Sequence, residues 1–297
     1  MPEIKLSILI VTYNSATDIE PCLNSIQFAG EYELIIVDNC SQDQTREILR
    51  NSPALARHHR HQLIFNPKNY GYARANNQGL ALARGEYLLL LNPDTVLTPD
   101  ALNLTVQFLD ENPDVAAVAP RLLNPDRTNQ LSVRSFPTFS SVLWEMTGIP
   151  RLFPKFKQIG TWRLRYFDHE QFQYVQQPMA SCLMFRRSIL IALNGFDEHF
   201  PIYYNDVDLC YRLFLLGGKI AYLPWVKVVH KLGASTGQIK PKMIYENHRS
   251  LFRFLKKHNT GLPFFFKALI LLPLLEISAL CRVIIYRLKN RLTVKRA

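Results

Sequence analysis

Tyr87-Leu88-Leu89-Leu90-Leu91-Asn92-Pro93-Asp94 is the stretch on which the fold turns. An unbroken apolar run closed by Asn-Pro-Asp reads as a buried parallel strand that hands a carboxylate to its C-terminal end, the end at which open α/β sheets bind ligands. Asp94 is therefore a candidate metal ligand.

Working outward, two further runs repeat the pattern. Ile4 to Val11 is apolar and ends in Thr12-Tyr13-Asn14-Ser15, and Leu34 to Val37 ends in Asp38-Asn39-Cys40-Ser41. Three buried strands that finish in polar clusters are what a nucleotide pocket on such a sheet requires. Helical patterns at 17–29 and 42–51, a short strand at Leu63 to Phe65 and a helix from Asn76 to Ala83, broken by Gly85, complete an alternating β/α order. After Asp94, Pro99 opens a helix over 100–111, and Val115 to Ala119 is another strand. Residues 120–176 lose period and collect Pro, Arg and aromatics such as Trp144, Trp162 and Tyr166, which predicts a loop-rich region over the binding edge that sets specificity. Ala180 to Phe185 reads as a strand and Ser188 to Leu193 as a helix stopped by Asn194-Gly195. Asn205-Asp206-Val207-Asp208 opens a helix that Gly217-Gly218 ends, with its carboxylates at the favourable pole of the dipole.

The composition suits a globular chain: 297 residues, 48% hydrophobic and 20% charged. Five scattered cysteines without CxxC spacing indicate neither a disulfide framework nor a zinc site, and fit a reducing, cytosolic compartment. The N-terminus lacks the pattern of a cleaved signal peptide. The net charge of +11 lies entirely in the last fifth: residues 1–239 hold 22 basic and 22 acidic side chains, residues 240–297 hold 13 and 2. No nucleic-acid motif interleaves that charge with aromatics, so nucleic acid is not an expected partner.

Taken together, Thr12-Tyr13-Asn14, Val37-Asp38-Asn39, the stretch Asn69 to Gly79, Asn92-Pro93-Asp94, and Gly195-Phe196-Asp197-Glu198 followed by Asn205-Asp206-Val207-Asp208-Leu209 resemble family 2 glycosyltransferases of the GT-A fold, most of all the bacterial rhamnosyltransferase type. The resemblance spans about residues 4–235. It implies a mixed, mainly parallel sheet flanked by helices, with a nucleotide-binding half over about 1–119, an acceptor half over 120–239 and a helical, basic and apolar extension over 240–297. By the same resemblance Thr12, Tyr13, Asn14, Asp38 and Asn39 line the base pocket, with Asp38 accepting from a uracil or thymine N–H. Arg74, Asn77 and Asn92 lie near the ribose and diphosphate of a UDP- or dTDP-sugar. Asp94 and the late His230 hold Mg²⁺ or Mn²⁺, and Asp206 is the base that inverts the anomeric carbon. The chain departs from the family at Asn205 and Asn92, where acidic residues are usual.

Plainer readings stand beside these. Asp94 could be a turn carboxylate before Thr95, Asp38 an Asx-turn residue, Asp206 or Asp208 a helix N-terminal charge, His230 a satisfied strand-end histidine, and Arg74 a solvated side chain. Tyr70 and Tyr72 suit packing as well as binding, and His58, His59 and His61 read as surface loop. A non-catalytic nucleotide-sugar or glycan-binding module is the rival function, encouraged by Asn92 and Asn205. A Rossmann oxidoreductase is excluded because no GxGxxG follows the first strand.

Residues 262–286 are long enough to span a bilayer but carry Lys267, Pro273, Glu276 and Arg282. Basic flanks adjoin them, with Arg253, Lys256 and Lys257 before and Arg287, Lys289, Arg291, Lys295 and Arg296 after. The expectation is an interfacial segment on anionic lipid at the cytoplasmic side of the membrane, with a true span or a core-covering helix as the alternatives. A saccharide or lipid-linked acceptor would suit that position.

Overall fold

The structure is a computed structural model that describes residues 3–58, 60–231 and 240–294, apart from the side chains of Lys240 and of 289–294. The chain forms two compact units, one of 1–136, 167–201 and 205–235, the other of 137–166, 202–204 and 236–297. The second unit thus takes in 137–166 from the stretch expected to be loop.

The first unit carries β1 (Leu6–Thr12), α1 (Ile19–Asn24), β2 (Tyr32–Asp38), α2 (Thr45–Asn51), α3 (Pro53–Ala56), β3 (His61–Phe65), α4 (Tyr72–Leu80), β4 (Tyr87–Leu91), β5 (Thr95–Leu97), α5 (Ala101–Glu111), β6 (Val115–Leu123) and β7 (Val133–Arg134). In the second, α6 (Phe139–Thr147) and α7 (Ile149–Leu152) follow. The first unit resumes with β8 (Gln173–Val175), β9 (Gln177–Pro178), β10 (Cys182–Arg186), α8 (Arg187–Ala192), α9 (Asn205–Leu215) and β11 (Lys219–His230). The second ends with α10 (Lys240–His258) and α11 (Leu262–Val294).

Among the described residues the main sheet runs β3-β2-β1-β4-β10-β6-β11-β5, with β8 also paired to β11. The β1, β2, β3 and β4 pairings are parallel, and β10 lies antiparallel between β4 and β6. Because side chains alternate across a strand, the apolar runs divide between two layers. Leu6, Ile8, Ile10, Leu34, Ile36, Leu89 and Leu91 pack with Leu23, Leu49, Leu102 and Leu109 on one face. Leu9, Val11, Ile35, Val37, Leu88 and Leu90 pack with Ala73, Leu190, Leu209 and Leu213 on the other. Continuous burial on both faces is why these strands lack any polar alternation.

Three local expectations need correction. The first helix is shorter than 17–29, because the Ser25 hydroxyl accepts from the Leu97 N–H and the chain turns away there. The helix expected at 76–83 begins four residues earlier, where Gly71 at φ +88° lets the Tyr72 N–H reach the Pro201 carbonyl at 2.5 Å; a Cβ at Gly71 would lie 2.8 Å from Pro201. His58 is buried rather than a surface-loop residue, bonded to the Tyr32 hydroxyl. His59, Leu232, Gly233, Lys295 and Arg296 lie outside the described residues.

In the second unit α10 packs on α11. Leu271, Leu275, Ala279 and Val283, spaced by four, form the buried stripe of α11, while Leu269, Ile270, Ile277, Leu280 and Ile284 around them are exposed. Glu145 of α6 is buried and takes a bidentate bond from Arg165 at 2.6 and 3.0 Å.

Candidate active site

The parallel register sets Thr12 against Asp38 and Ile10 against Leu91, so the polar ends of β1, β2 and β4 share one sheet edge. Asp38 is wholly buried there. It accepts from Thr12 Oγ1 at 3.1 Å, from the Ser41 N–H at 3.1 Å, from the Ser41 hydroxyl and from Arg46 Nε at 2.5 Å. Four donors fill the usual capacity of a carboxylate, so its part in this structure is to order the pocket loops. Asn14, at φ +51°, caps the same loop, with its N–H on Ser41 Oγ and its side-chain oxygen taking the Gln42 N–H at 2.7 Å. Tyr13 is half-exposed beside it. Asn39 holds the approach to α4, donating to Asn69 and the Gly71 carbonyl and accepting from the Tyr70 N–H.

Asp94 and His230 are brought together by the antiparallel pairing of β5 with β11, which sets Thr95 against His230 and bonds the Lys231 N–H to the Asp94 carbonyl at 2.9 Å. His230 Nε2 lies 3.4 Å from Asp94 Oδ1. The other ring nitrogen, Nδ1, is 2.7 Å from Gln130 Oε1, a pure acceptor, so Nδ1–H donates there and Nε2 is the nitrogen that faces the carboxylate. A ring held by an amide at one nitrogen, with the other turned to a carboxylate, is oriented as a histidine metal ligand would need to be. Among the described residues no group of three or more His, Cys, Asp and Glu gathers at one point. Asp94 and His230 are thus a candidate pair of ligands, and a pair suits a cation that shares its shell with phosphates and water.

Asp206 stands at the start of α9, partly buried, with Oδ1 accepting from the Val207 N–H at 2.9 Å and Oδ2 from Gln177 Nε2 at 3.3 Å. Burial pushes its carboxyl above the usual carboxylate range, and the charge of Arg134 and the Val207 N–H pull the other way. Tyr72 links the two carboxylates electrostatically. Burial raises its phenol, and the charges of Asp206 and Asp94 raise it further, so it remains a neutral donor, bonded to Asn92 Oδ1 at 3.2 Å. Tyr72 thus bonds to the end of β4 and lies in electrostatic reach of both carboxylates.

Residues 7–193 match the family model described as glycosyl transferase family 2. The chain belongs to that family. It is similar to the N-acetylglucosaminyl-diphospho-decaprenol L-rhamnosyltransferase of Mycobacterium tuberculosis, 27% identical over 273 residues that cover 86% of this chain and 85% of the relative. It is also similar to the rhamnosyltransferase WbbL of Escherichia coli K12, 25% identical, covering 84% and 92% of the two chains. Among solved structures, the mannosyltransferase PcManGT of Pyrobaculum calidifontis in complex with GDP-Man and Mn²⁺ superposes with a TM-score of 0.59 at 20% identity, over 94% of this chain and 70% of that one. The fold is accordingly GT-A-like and the protein is a rhamnosyltransferase-like glycosyltransferase.

Not every expected residue of this glycosyltransferase sits free in the site. Asn77 is a clamp: its amide oxygen accepts from the Phe196 N–H at 2.8 Å and its nitrogen donates to the Phe196 carbonyl at 2.9 Å, tying α4 to the loop before α9. Arg74 lies over the Tyr70 ring, 4.5 Å from its centroid, with a half-exposed side chain. Asp208 is wholly buried and paired with Arg212 at 2.8 Å, one helical turn on, which makes it structural. In turn, the sequence reading passed over Gln130 behind His230 and Arg134 and Gln177 around Asp206, and left Tyr72 open between packing and binding.

Proposed function

We propose that this glycosyltransferase moves a sugar, rhamnose by similarity, from a UDP- or dTDP-sugar to a saccharide or lipid-linked acceptor in cell-surface polysaccharide synthesis, with inversion at the anomeric carbon. The observation that carries the reading is Asp94 standing 3.4 Å from His230, with a separate, partly buried carboxylate, Asp206, in electrostatic reach of the same Tyr72. The name of the Mycobacterium tuberculosis relative, an N-acetylglucosaminyl-diphospho-decaprenol L-rhamnosyltransferase, supports a lipid-linked acceptor.

Asp94 and His230 would hold Mg²⁺ or Mn²⁺, which when bound supplies charge to offset that developing on the departing diphosphate. Thr12, Tyr13, Asn14 and Asn39 shape the base pocket. Asp38 keeps its loops in place, and a uracil or thymine N–H reaches it only in competition with Ser41 and Arg46. Asn92 and Arg74 lie on the donor side. As the acceptor oxygen bonds to the anomeric carbon, the bond from that carbon to the diphosphate oxygen breaks on the opposite face. The hydroxyl proton passes to Asp206, whose raised pKa makes it a better base than an ordinary exposed carboxylate.

α11 offers the means to meet a lipid-linked substrate. Leu262–Leu288 is long and apolar enough to cross a membrane. One stripe of it is already spent on packing, which favours lying in the cytoplasmic interface over a free span, with Lys256, Lys257 and Arg287 toward anionic headgroups.

The test is the anomeric configuration of the product by NMR together with Asp206→Asn. Inverted product, with transfer lost and nucleotide binding retained in the variant, is the expected result. Retained configuration, or an active variant, would sink the proposed mechanism.

A further inference from the structure

A buried base needs something to keep it ionised and aimed, and the two-stranded ribbon of β7 and β9 stands beside Asp206 with two candidates. Its register sets Arg134 directly opposite Gln177. Gln177 is 1% exposed. Its Nε2 donates both to Asp206 Oδ2 at 3.3 Å and to the Pro178 carbonyl at 3.0 Å, while its Oε1 is buried without a hydrogen-bond partner. Turning the amide over would point that oxygen at the Asp206 carboxylate, oxygen against oxygen. The orientation seen leaves an acceptor idle, and it is the one that gives both the Asp206 carboxylate and the Pro178 carbonyl an N–H.

We infer that the β7–β9 ribbon positions Asp206 for the transfer reaction, Gln177 fixing Asp206 Oδ2 by hydrogen bond and Arg134, its partner across the ribbon, bringing a positive charge to the same side of the site. The inference rests on the reading of Asp206 as the base. It extends the site to a ribbon that none of the strand-end motifs includes.

The groups in electrostatic reach of Asp206 are Arg134 on β7, Tyr72 on α4 and Cys210 on α9. Burial raises both the Tyr72 phenol and the Cys210 thiol, so neither takes up charge near neutrality. Arg134 is then the permanent charge whose removal the carboxylate should feel.

The experiment is a ¹³C NMR titration of the Asp206 carboxyl, assigned by its loss in Asp206→Asn, in the wild-type protein and in Gln177→Leu, Arg134→Gln and Arg134→Lys. It needs no acceptor. Gln177→Leu and Arg134→Gln should each move the midpoint upward, and Arg134→Lys should restore it. The melting-point shift given by UDP or dTDP with Mn²⁺ should stay within error of wild type in all three. With dTDP-rhamnose as donor, Gln177→Leu should lose roughly tenfold or more in kcat, as expected when a hydrogen bond to a charged group is removed. Unmoved midpoints in Gln177→Leu and Arg134→Gln would overturn the inference, and so would loss of nucleotide binding with the midpoint unchanged. Should Gln177→Leu fail to fold, the Arg134 pair gives the same readout from the other strand. Transfer surviving in Asp206→Asn would instead remove the base reading itself.

Discussion

Replacing Asp38 separates a residue that orders the pocket from one that only touches the nucleotide. Its carboxylate is wholly buried, and four donors converge on it, one of them Arg46 Nε at 2.5 Å. Asp38→Ala strands a guanidinium that is 28% exposed. Breaking a buried pair by deleting one partner costs about 3–5 kcal/mol, and the partial exposure of Arg46 argues for the lower end, about 3 kcal/mol. Loss of the bonds from Thr12 and Ser41 adds about 1 kcal/mol, for a total near 4 kcal/mol. Asp38→Asn keeps one acceptor but turns an amide N–H₂ toward Ser41 or Arg46, and should cost about 2 kcal/mol. At roughly 2–4 °C per kcal/mol for a domain of this size, the alanine variant melts about 8–16 °C lower. Urea unfolding monitored by circular dichroism measures both, and the order should be wild type, then Asn, then Ala. An alanine variant within about 0.5 kcal/mol of wild type that has nonetheless lost nucleotide binding would refute the reasoning and return Asp38 to a purely ligand-contacting role.

Three further outcomes follow from the same geometry. Asp206→Asn should lower transfer about 10²–10⁴-fold, the usual contribution of a general base, yet raise the melting point near neutral pH. The sign follows from burial: a raised folded pKa means the native state binds the proton more tightly, so stability falls as pH rises from the unfolded value toward the folded one, and the amide removes that penalty. A variant less stable than wild type at pH 7 but not at acid pH would contradict it. Burial acts to raise the Glu145 carboxyl, but Arg165 and Arg163 prevail and hold it below the usual range. Its stabilising contribution is therefore present above the unfolded pKa and lost as pH falls through the depressed folded one. Thermal melts should show Glu145→Gln about 1–3 kcal/mol less stable at pH 7, with the gap closing on acidification. Of the cysteines, Cys281 is exposed and Cys40 half-exposed, whereas burial pushes the thiol of Cys22 up to about 12 and raises those of Cys182 and Cys210. A maleimide reagent on the folded protein should label Cys40 and Cys281 alone, as mass spectrometry of the digest would show.

The strand ends were legible because their signal is local. Tyr87–Leu91 has the limits read from the sequence, and Thr12, Asp38 and Asp94 follow directly from where buried apolar runs stop. The supporting residues were not legible, because their roles arise from pairings distant in the chain. Gln130 meets His230 across 100 positions, Gln177 meets Asp206 across 29, and Tyr72 acquires its place from a helix start set by Pro201. Nothing in the neighbourhood of Gln177 marks it as facing a carboxylate. Asn77 is the converse: its motif position suggests a ligand contact, and only the structure shows that both ends of its amide are bonded to the Phe196 backbone. The long β11, with Pro224 inside it and register shifts along its pairing with β6, hides its strand character behind an irregular pattern. The α11 segment was recognisable by length and hydropathy, but only packing shows that a stripe spaced by four residues is buried.

The most direct test of the account is nucleotide binding with and without metal on the intact protein and on Asp94→Ala. Thermal shifts with UDP, dTDP, GDP, CDP and CMP, in the presence and absence of Mn²⁺, suffice, since a ligand at 100 times its dissociation constant stabilises by about 2.7 kcal/mol. The account predicts a shift for UDP or dTDP that requires metal and disappears in Asp94→Ala, while the variant folds as the parent does. A shift that is equally large without metal, or that survives in Asp94→Ala, would contradict it.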